Sequence, residues 1–227
     1  MKKIFISIFI IAAITSSCNF SAGSAATESV PTIPATETRI PFTPIPTLIP
    51  SSPTPPAALG TIALDFVALL CNAQWMNGGQ KFAACPDANA DHSAGYAIAI
   101  DPASEGLPAN TSVLLTIPAL NSYSALFLRY PTLKIQAGDR FRATLQCQAS
   151  STNCDVSFGL DYYDANGKYH SPLAMWDYKA GQAPITADFD LSALAGQNVD
   201  IVLALRPNND KPQDDTSLWI APHIFRP

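Results

Sequence analysis

From residue 57 onward, apolar and polar residues alternate in short bursts, and Gly, Pro, Asn or Asp separates nearly every burst from the next. The bursts run from Ile62 to Leu70, Gly95 to Ile100, Thr111 to Ile117, Ala125 to Leu128, Phe141 to Cys147, Cys154 to Tyr163, Ile185 to Leu191, Val199 to Leu205 and Ser217 to Phe225. A period of two bounded by turn formers is the pattern of a half-buried strand. No amphipathic helix of about a dozen residues is legible, and Asp190 to Gly196 supplies one helical turn at most. About nine or ten short strands predict an all-β domain over residues 57–227, an antiparallel β-sandwich of the jelly-roll kind.

Two hairpins take a register from the sequence. If Cys147 and Cys154 bridge a loop between paired strands, Leu145 faces Val156, Ala143 faces Phe158 and Phe141 faces Leu160, all apolar and all turned to the core. The other face then carries Arg140 opposite Asp161, a cross-strand ion pair. Asp164-Ala165-Asn166-Gly167 is the strongest turn signal in the chain. A two-residue Asn166-Gly167 turn sets Tyr163 opposite His170 and, if the strand runs on, Ser157 opposite Trp176. Pro172 argues against a ladder beyond His170.

The first 56 residues follow a different pattern. Met1-Lys2-Lys3 is a basic start, and Ile4 to Ile14 is apolar apart from Ser7. The run is roughly half the about 20 residues that span a bilayer, so residues 1–17 are expected to be an export signal. Thr15-Ser16-Ser17-Cys18 resembles a bacterial lipobox, with Thr15 where the motif usually has an aliphatic residue, and implies lipidation of Cys18. The competing reading is ordinary cleavage within Ser21 to Ala26. Residues 18–56 are rich in Pro and Thr, with Glu28, Glu37 and Arg39 as their only charged residues. Such a segment builds no core and is expected to be an extended stalk.

Cysteine count fits this arrangement. Cys71, Cys85, Cys147 and Cys154 form an even set in an exported domain, and the local spacings favour Cys71–Cys85 and Cys147–Cys154, leaving Cys18 for the lipid. Neither pair has zinc-ligand spacing and no histidine lies beside them, so no metal is expected there. Asp87, Asn89 and Asp91 alternate as calcium ligands can, without the rest of an EF-hand loop.

Of the 227 residues only 14% are charged, and the formal charge is −5. There is no basic stripe for phosphates, which excludes a nucleic-acid partner, and no electrostatic hold on an anionic membrane. The membrane partner is therefore the lipid anchor, and the expected place is the bacterial cell surface. No HExxH, GxSxG or Walker pattern surrounds His92, His170, His223 or any serine, so no enzymatic activity and no cofactor are expected.

The candidate ligand-binding residues are Trp75, Arg140, Arg142, Asp161, Tyr163, His170 and Trp176. The expected register places Arg140, Arg142, Gln146, Asp161, Tyr163, His170 and Trp176 on one outward face, with Gly159 leaving room above the backbone. Aromatic rings stack on the C–H faces of sugars, while Arg, Asp and Gln satisfy hydroxyl groups. Trp75 joins the set from the loop closed by Cys71 and Cys85. The competing reading makes each Trp a core residue and Arg140–Asp161 a structural pair.

The runs Cys71-Asn72-Ala73-Gln74-Trp75, Cys85-Pro86, Ala137-Gly138-Asp139-Arg140-Phe141, Leu191 to Gln197 and Leu218 to Ile224 resemble an uncharacterised β-sandwich domain of secreted and lipoprotein-like chains of the Chloroflexota. The closing pattern Asp214-Asp215, Trp219 and Ile224 is also similar to the last strand of galactose-binding-like carbohydrate-binding modules of the NPCBM type. The first resemblance implies the fold and the disulfide pairs, and the second implies sugar binding. The expected function is a monomeric, membrane-anchored surface lipoprotein that binds an extracellular carbohydrate. The alternative is an adhesive or structural protein that docks another surface protein.

Overall fold

The computed structural model describes residues 60–77, 80–81, 85, 92–120 and 125–227, with backbone alone at 80, 81 and 92. The export signal, Cys18, the stalk and the Asp87, Asn89, Asp91 alternation lie outside the described residues. The strands are β1 (Thr61–Asp65), β2 (Gln74–Asn77), β3 (Gln80–Lys81), β4 (Tyr96–Ala99), β5 (Val113–Ile117), β6 (Leu126–Arg129), β7 (Leu133–Lys134), β8 (Arg140–Cys147), β9 (Asp155–Tyr163), β10 (Tyr169–Lys179), β11 (Ile185–Asp190), β12 (Asn198–Pro207) and β13 (Ser217–Arg226). Among the described residues the helices are single 3₁₀ turns.

Two antiparallel sheets form a β-sandwich. One has the order β11-β8-β13-β5-β4, with β1 also on β13; the other runs β10-β9-β12-β6-β2-β3, with β7 on β12. Consecutive strands stay in one sheet only at β2–β3, β4–β5, β6–β7 and β9–β10, and the chain changes sheet at every other step, which is jelly-roll wiring. The core lies between the sheets. Phe141, Leu145, Phe158, Leu160, Leu203 and Trp219 are fully buried in it. Phe158 and Phe141 meet the edge of Trp219, and the Trp219 indole N–H donates to Thr116 Oγ1 at 3.2 Å. Strict alternation in β8, half-buried outward and buried inward, is what one wet face produces. β9 departs from it, because its six residues from Val156 to Asp161 are all buried and its outer face is covered there too.

Both disulfides are present as the spacings implied, with Cα atoms 4.6 Å apart in Cys71–Cys85 and 6.2 Å apart in Cys147–Cys154. The hairpin expected around Cys147–Cys154 is not. β8 pairs with β11 and β13, while β9 pairs with β10 and β12, so this bridge staples one sheet to the other. Leu145, Ala143, Phe141, Val156, Phe158 and Leu160 do face the core, across the layer rather than as ladder partners. Local spacing alone does not distinguish a hairpin from a crossover between layers.

The second hairpin exists with a different turn. Gly167 N–H donates to Asp164 O and Asp164 N–H donates to Lys168 O, closing a three-residue loop with Gly167 at φ 76°. Only glycine takes this left-handed position without strain. The extra loop residue sets Tyr163 opposite Tyr169 instead of His170. The ladder also continues past Pro172, through a bulge between His170 and Ala174, and resumes with Trp176 opposite Phe158 and Asp177 opposite Ser157. β10 is an edge strand, where a residue without an N–H is tolerated.

Candidate functional site

The structure divides the seven sequence candidates among four places. Trp75 lies in β2 opposite Leu128 and is buried in the core, not displayed on a loop. Arg140 and Arg142 lie on the outer face of the β8 sheet, where Arg140 Nε donates to Asp188 Oδ1 at 2.6 Å and Arg142 Nε lies 3.5 Å from the same oxygen. The expected Arg140–Asp161 pair is therefore replaced by Arg140–Asp188. Trp176, shifted by the bulge, turns inward and stacks on Phe141 at 5.8 Å. His170 sits opposite Tyr162, stacked on its ring at 4.6 Å with Nε2 3.0 Å from Asp164 Oδ2, on the face away from Tyr163. Asp161 and Tyr163 remain together, on the outer face of the β9 sheet.

That face is built by residues far apart in sequence. Period-two alternation along β9 sends Ser157, Gly159, Asp161 and Tyr163 outward. The ladders then add Tyr169, Met175 and Asp177 from β10, Asp200, Val202, Ala204 and Arg206 from β12, Phe127 and Arg129 from β6, and Gln74 and Met76 from β2. Val202 and Ala204 form an apolar floor that is fully buried beneath longer side chains.

Asp161 is the anchor and is fully buried. Its Oδ2 accepts from the Tyr169 hydroxyl and from Arg206 Nη2, and Arg206 Nη2 also donates to Ser171 Oγ at 3.0 Å. The Arg206 guanidinium reaches this position across Gly159: a Cβ there would stand 2.0 Å from Nη1. It lies 5.5 Å from the centre of the Phe127 ring. Beside it, Arg129 stacks 4.1 Å above Tyr163 and donates through Nε to Asp200 Oδ2 at 2.8 Å, while Thr132 donates to the other Asp200 oxygen. The Tyr169 ring centre is 5.0 Å from that of Tyr163 and 6.2 Å from that of Phe127.

Tyr169 thus stands between two other rings and is 37% exposed, and Met175, opposite Gly159, is 50% exposed. Partial burial, together with the Asp161 carboxylate that its hydroxyl meets, pushes the Tyr169 phenol up to about 12. It stays a neutral donor at any physiological pH. The carboxylates of the face are engaged: Asp161 by Arg206 and Tyr169, Asp200 by Arg129 and Thr132, and Asp177 by the Ser157 hydroxyl at 2.5 Å. The result is an aromatic surface in which each of the two guanidinium groups is paired with an aspartate and Asp177 is held by a hydroxyl. Among the described residues no cluster of three His, Cys, Asp or Glu side chains is placed to hold a metal ion.

Sequence reasoning reached Asp161 and Tyr163 and missed Tyr169, Phe127, Arg129, Asp200 and Arg206. Tyr169 was within reach, since Gly167 at the third loop position also fits a three-residue turn. The others arrive by the β12–β9 and β12–β6 pairings, for which the chain carries no local signal.

An antiparallel β-sandwich with a polar and aromatic outer sheet face is the class of protein that these observations define. No family model matches the chain, and no curated protein does. Its strand arrangement is similar to several solved structures. One is the TmCBM61 module in complex with β-1,4-galactotriose, at 11% identity and a TM-score of 0.43, covering 74% of this chain and 99% of the module. A second is the C-terminal family 22 carbohydrate-binding module of Clostridium thermocellum Xyn10B, at 11% identity and 0.39, covering 67% and 84%. A third is the CBM51 module of Clostridium perfringens GH95 in complex with methyl-galactose, at 13% identity and 0.35, covering 50% and 69%. These likenesses are remote, and the reading below rests on the side chains of this chain.

Proposed function

We propose that the β-sandwich binds a neutral extracellular carbohydrate on the outer face of the β9 sheet, without catalysis. The observation that carries the reading is Tyr169. It is a half-exposed phenol held by a buried carboxylate and a guanidinium, between the rings of Phe127 and Tyr163. A ring fixed in this way offers its face to sugar C–H groups with little further loss of side-chain freedom, while Arg206 bonds its hydroxyl and Arg129 stacks on the neighbouring Tyr163. Internal pairing of Arg206 with Asp161 and of Arg129 with Asp200 leaves little net charge to attract an acidic sugar.

We also propose that the chain is a lipoprotein of the bacterial surface, anchored through Cys18. In support, Cys71, Cys85, Cys147 and Cys154 satisfy one another, leaving Cys18 without a protein partner among the cysteines. The test of binding is a glycan array followed by calorimetry on the purified chain and its Tyr169→Ala variant. Saturable binding to a neutral glycan, weakened about five- to twelvefold in the variant, is the expected result, since one stacked ring contributes on the order of 1–1.5 kcal/mol. Equal binding by both proteins would remove the face from consideration, and silence across the array would shift the reading to docking of a protein.

A further inference from the structure

At one end of the sandwich, where the β8–β9 loop and the β10–β11 loop approach each other, lies a cleft of about 480 Å³. It does not share a residue with the face around Tyr169. Gln146, Gln148, Ser151, Thr152 and Gln182 supply its polar lining, and Cys147, Ala149, Tyr178, Ala180 and Pro184 its apolar lining. We propose that this cleft is a second carbohydrate subsite, taking a neutral sugar unit independently of the sheet face. The proposal rests on the reading above only for the class of ligand.

Three features of the cleft select that ligand. First, no side chain that lines it is ionised. The Tyr178 hydroxyl is already committed, donating to Gln182 O at 2.7 Å. The charged residues Asp155, Lys179, Asp210 and Lys211 belong to the neighbouring groove instead. A phosphate, sulfate or uronate would find no cationic side chain in the lining, Lys179 and Lys211 standing in the adjoining groove that shares Thr152 and Ala180.

Second, the polar groups are built and partly free. Gln182 Oε1 accepts from Lys179 N–H at 2.9 Å and Gln148 Nε2 donates to Glu105 Oε1 at 2.7 Å, which fixes both chains with a donor or acceptor to spare. The half-buried side chains of Gln146 and Ser151, and the Thr152 hydroxyl, have no hydrogen-bond partner among the described residues. Amides and hydroxyls each donate and accept, as sugar hydroxyls do, so they match a polyol in several orientations. Third, the apolar wall offers small, flat contacts to C–H groups. The volume falls in the range of about 300–1,000 Å³ typical of small-molecule sites.

The test is a titration of the full chain, labelled with ¹⁵N-glutamine, and followed by the side-chain amide signals of Gln146 and Gln182 assigned from their alanine variants. The probes are β-1,4-galactotriose, cellotriose and xylotriose, with trigalacturonate as the charged comparison. A ¹⁵N-tyrosine sample reports Tyr169 in parallel. The expected result is a saturable shift of the Gln146 and Gln182 amides with at least one neutral probe and none with trigalacturonate. That shift persists in Tyr169→Ala and weakens at least tenfold in Thr152→Val, whose fold is checked by the unchanged spectrum. Shifts at Tyr169 without shifts at the glutamines would overturn the cleft and leave the sheet face standing. Shifts at the glutamines alone would uphold the cleft and overturn the face. No shift with any neutral probe, or shifts of the glutamines with trigalacturonate alone, would overturn the cleft.

Discussion

Gly159 shows how one missing side chain organises the candidate face. Any Cβ at this position would stand 2.0 Å from Arg206 Nη1 and 3.2 Å from the Ala204 Cβ, so the guanidinium would have to leave the place from which it holds Tyr169 and Asp161. Gly159→Ala is expected to fold, at a cost of about 1–2 kcal/mol for overpacking, and to lose most glycan affinity. Retained affinity, measured by calorimetry on a variant shown to be folded, would sever Arg206 from the site. A second residue reads out through pH. Asp215 is fully buried, and burial pushes its carboxyl up, with the Asp155 and Asp214 carboxylates adding to the rise against the Asp155 N–H and Asn209 bonds that oppose it. One of its oxygens, Oδ2, has no partner. A carboxyl whose folded value lies above its unfolded value of about 3.9 favours folding while protonated, and that contribution disappears as pH rises through the folded value. Asp215→Asn keeps the accepting oxygen and cannot ionise. Its stability relative to the parent is expected to rise from pH 4 to pH 7, read from urea midpoints; a difference that does not change with pH would mean Asp215 stays protonated or is otherwise compensated. The aspartates held by cations behave in the opposite sense. Asp188, bonded to Arg140, is held below the usual range, and burial pushes Asp139 up but the Arg226 and Gln136 bonds outweigh it, so their contributions are lost as pH falls.

At the scale of elements, each of the nine bursts of alternation overlaps a strand, but the first, read from Ile62 to Leu70, is strand only to Asp65 and then passes through a turn into the 3₁₀ turn Leu70–Asn72. The alternation identifies which side chains are apolar on one side, and that much survives any error of pairing: Phe141, Leu145, Phe158 and Leu160 are in the core although their expected ladder does not exist. The strands β3 and β7 are too short to show a period, β2 lies in the segment that the Cys71–Cys85 spacing marks as a loop, and Pro172 argues against β10 because an interior ladder excludes proline while an edge does not. Pairing between distant strands is set by the packing of two layers, and that is where the sequence stops being informative. The Cys147–Cys154 bridge carries a measurable trace of this difference. Closing so short a loop is worth about 2.5 kcal/mol in the chain-entropy account, and here it also ties β8 in one sheet to the start of β9 in the other. The double variant Cys147→Ala, Cys154→Ala is expected to unfold at lower urea by that amount or more, with its far-ultraviolet dichroism unchanged. No change in midpoint would show that the core holds the sheets together without the staple.

For the whole chain, the two surfaces and the proposed anchor pose one problem, which is how an acidic protein stays where glycans are. A formal charge of −5 gives no attraction to an anionic bilayer, and among the described residues no helix is long and apolar enough to cross a membrane. The proposed attachment is covalent, through Cys18. One acyl chain binds a membrane reversibly, and a diacylglyceryl group supplies the two chains that make anchoring stable. The prediction is therefore a change of phase. Expressed in a bacterium that processes lipoproteins, the parent chain is expected to incorporate labelled palmitate and to partition into the detergent phase of a Triton X-114 extraction. Cys18→Ser is expected to lose the label and move to the aqueous phase with its two disulfides intact. An aqueous, unlabelled parent would instead favour cleavage within Ser21 to Ala26 and a freely secreted domain. Glycan affinity per molecule would be the same in either case, because the binding face is built entirely from residues between Gln74 and Arg206, and only the avidity that a membrane confers by holding many copies together would differ.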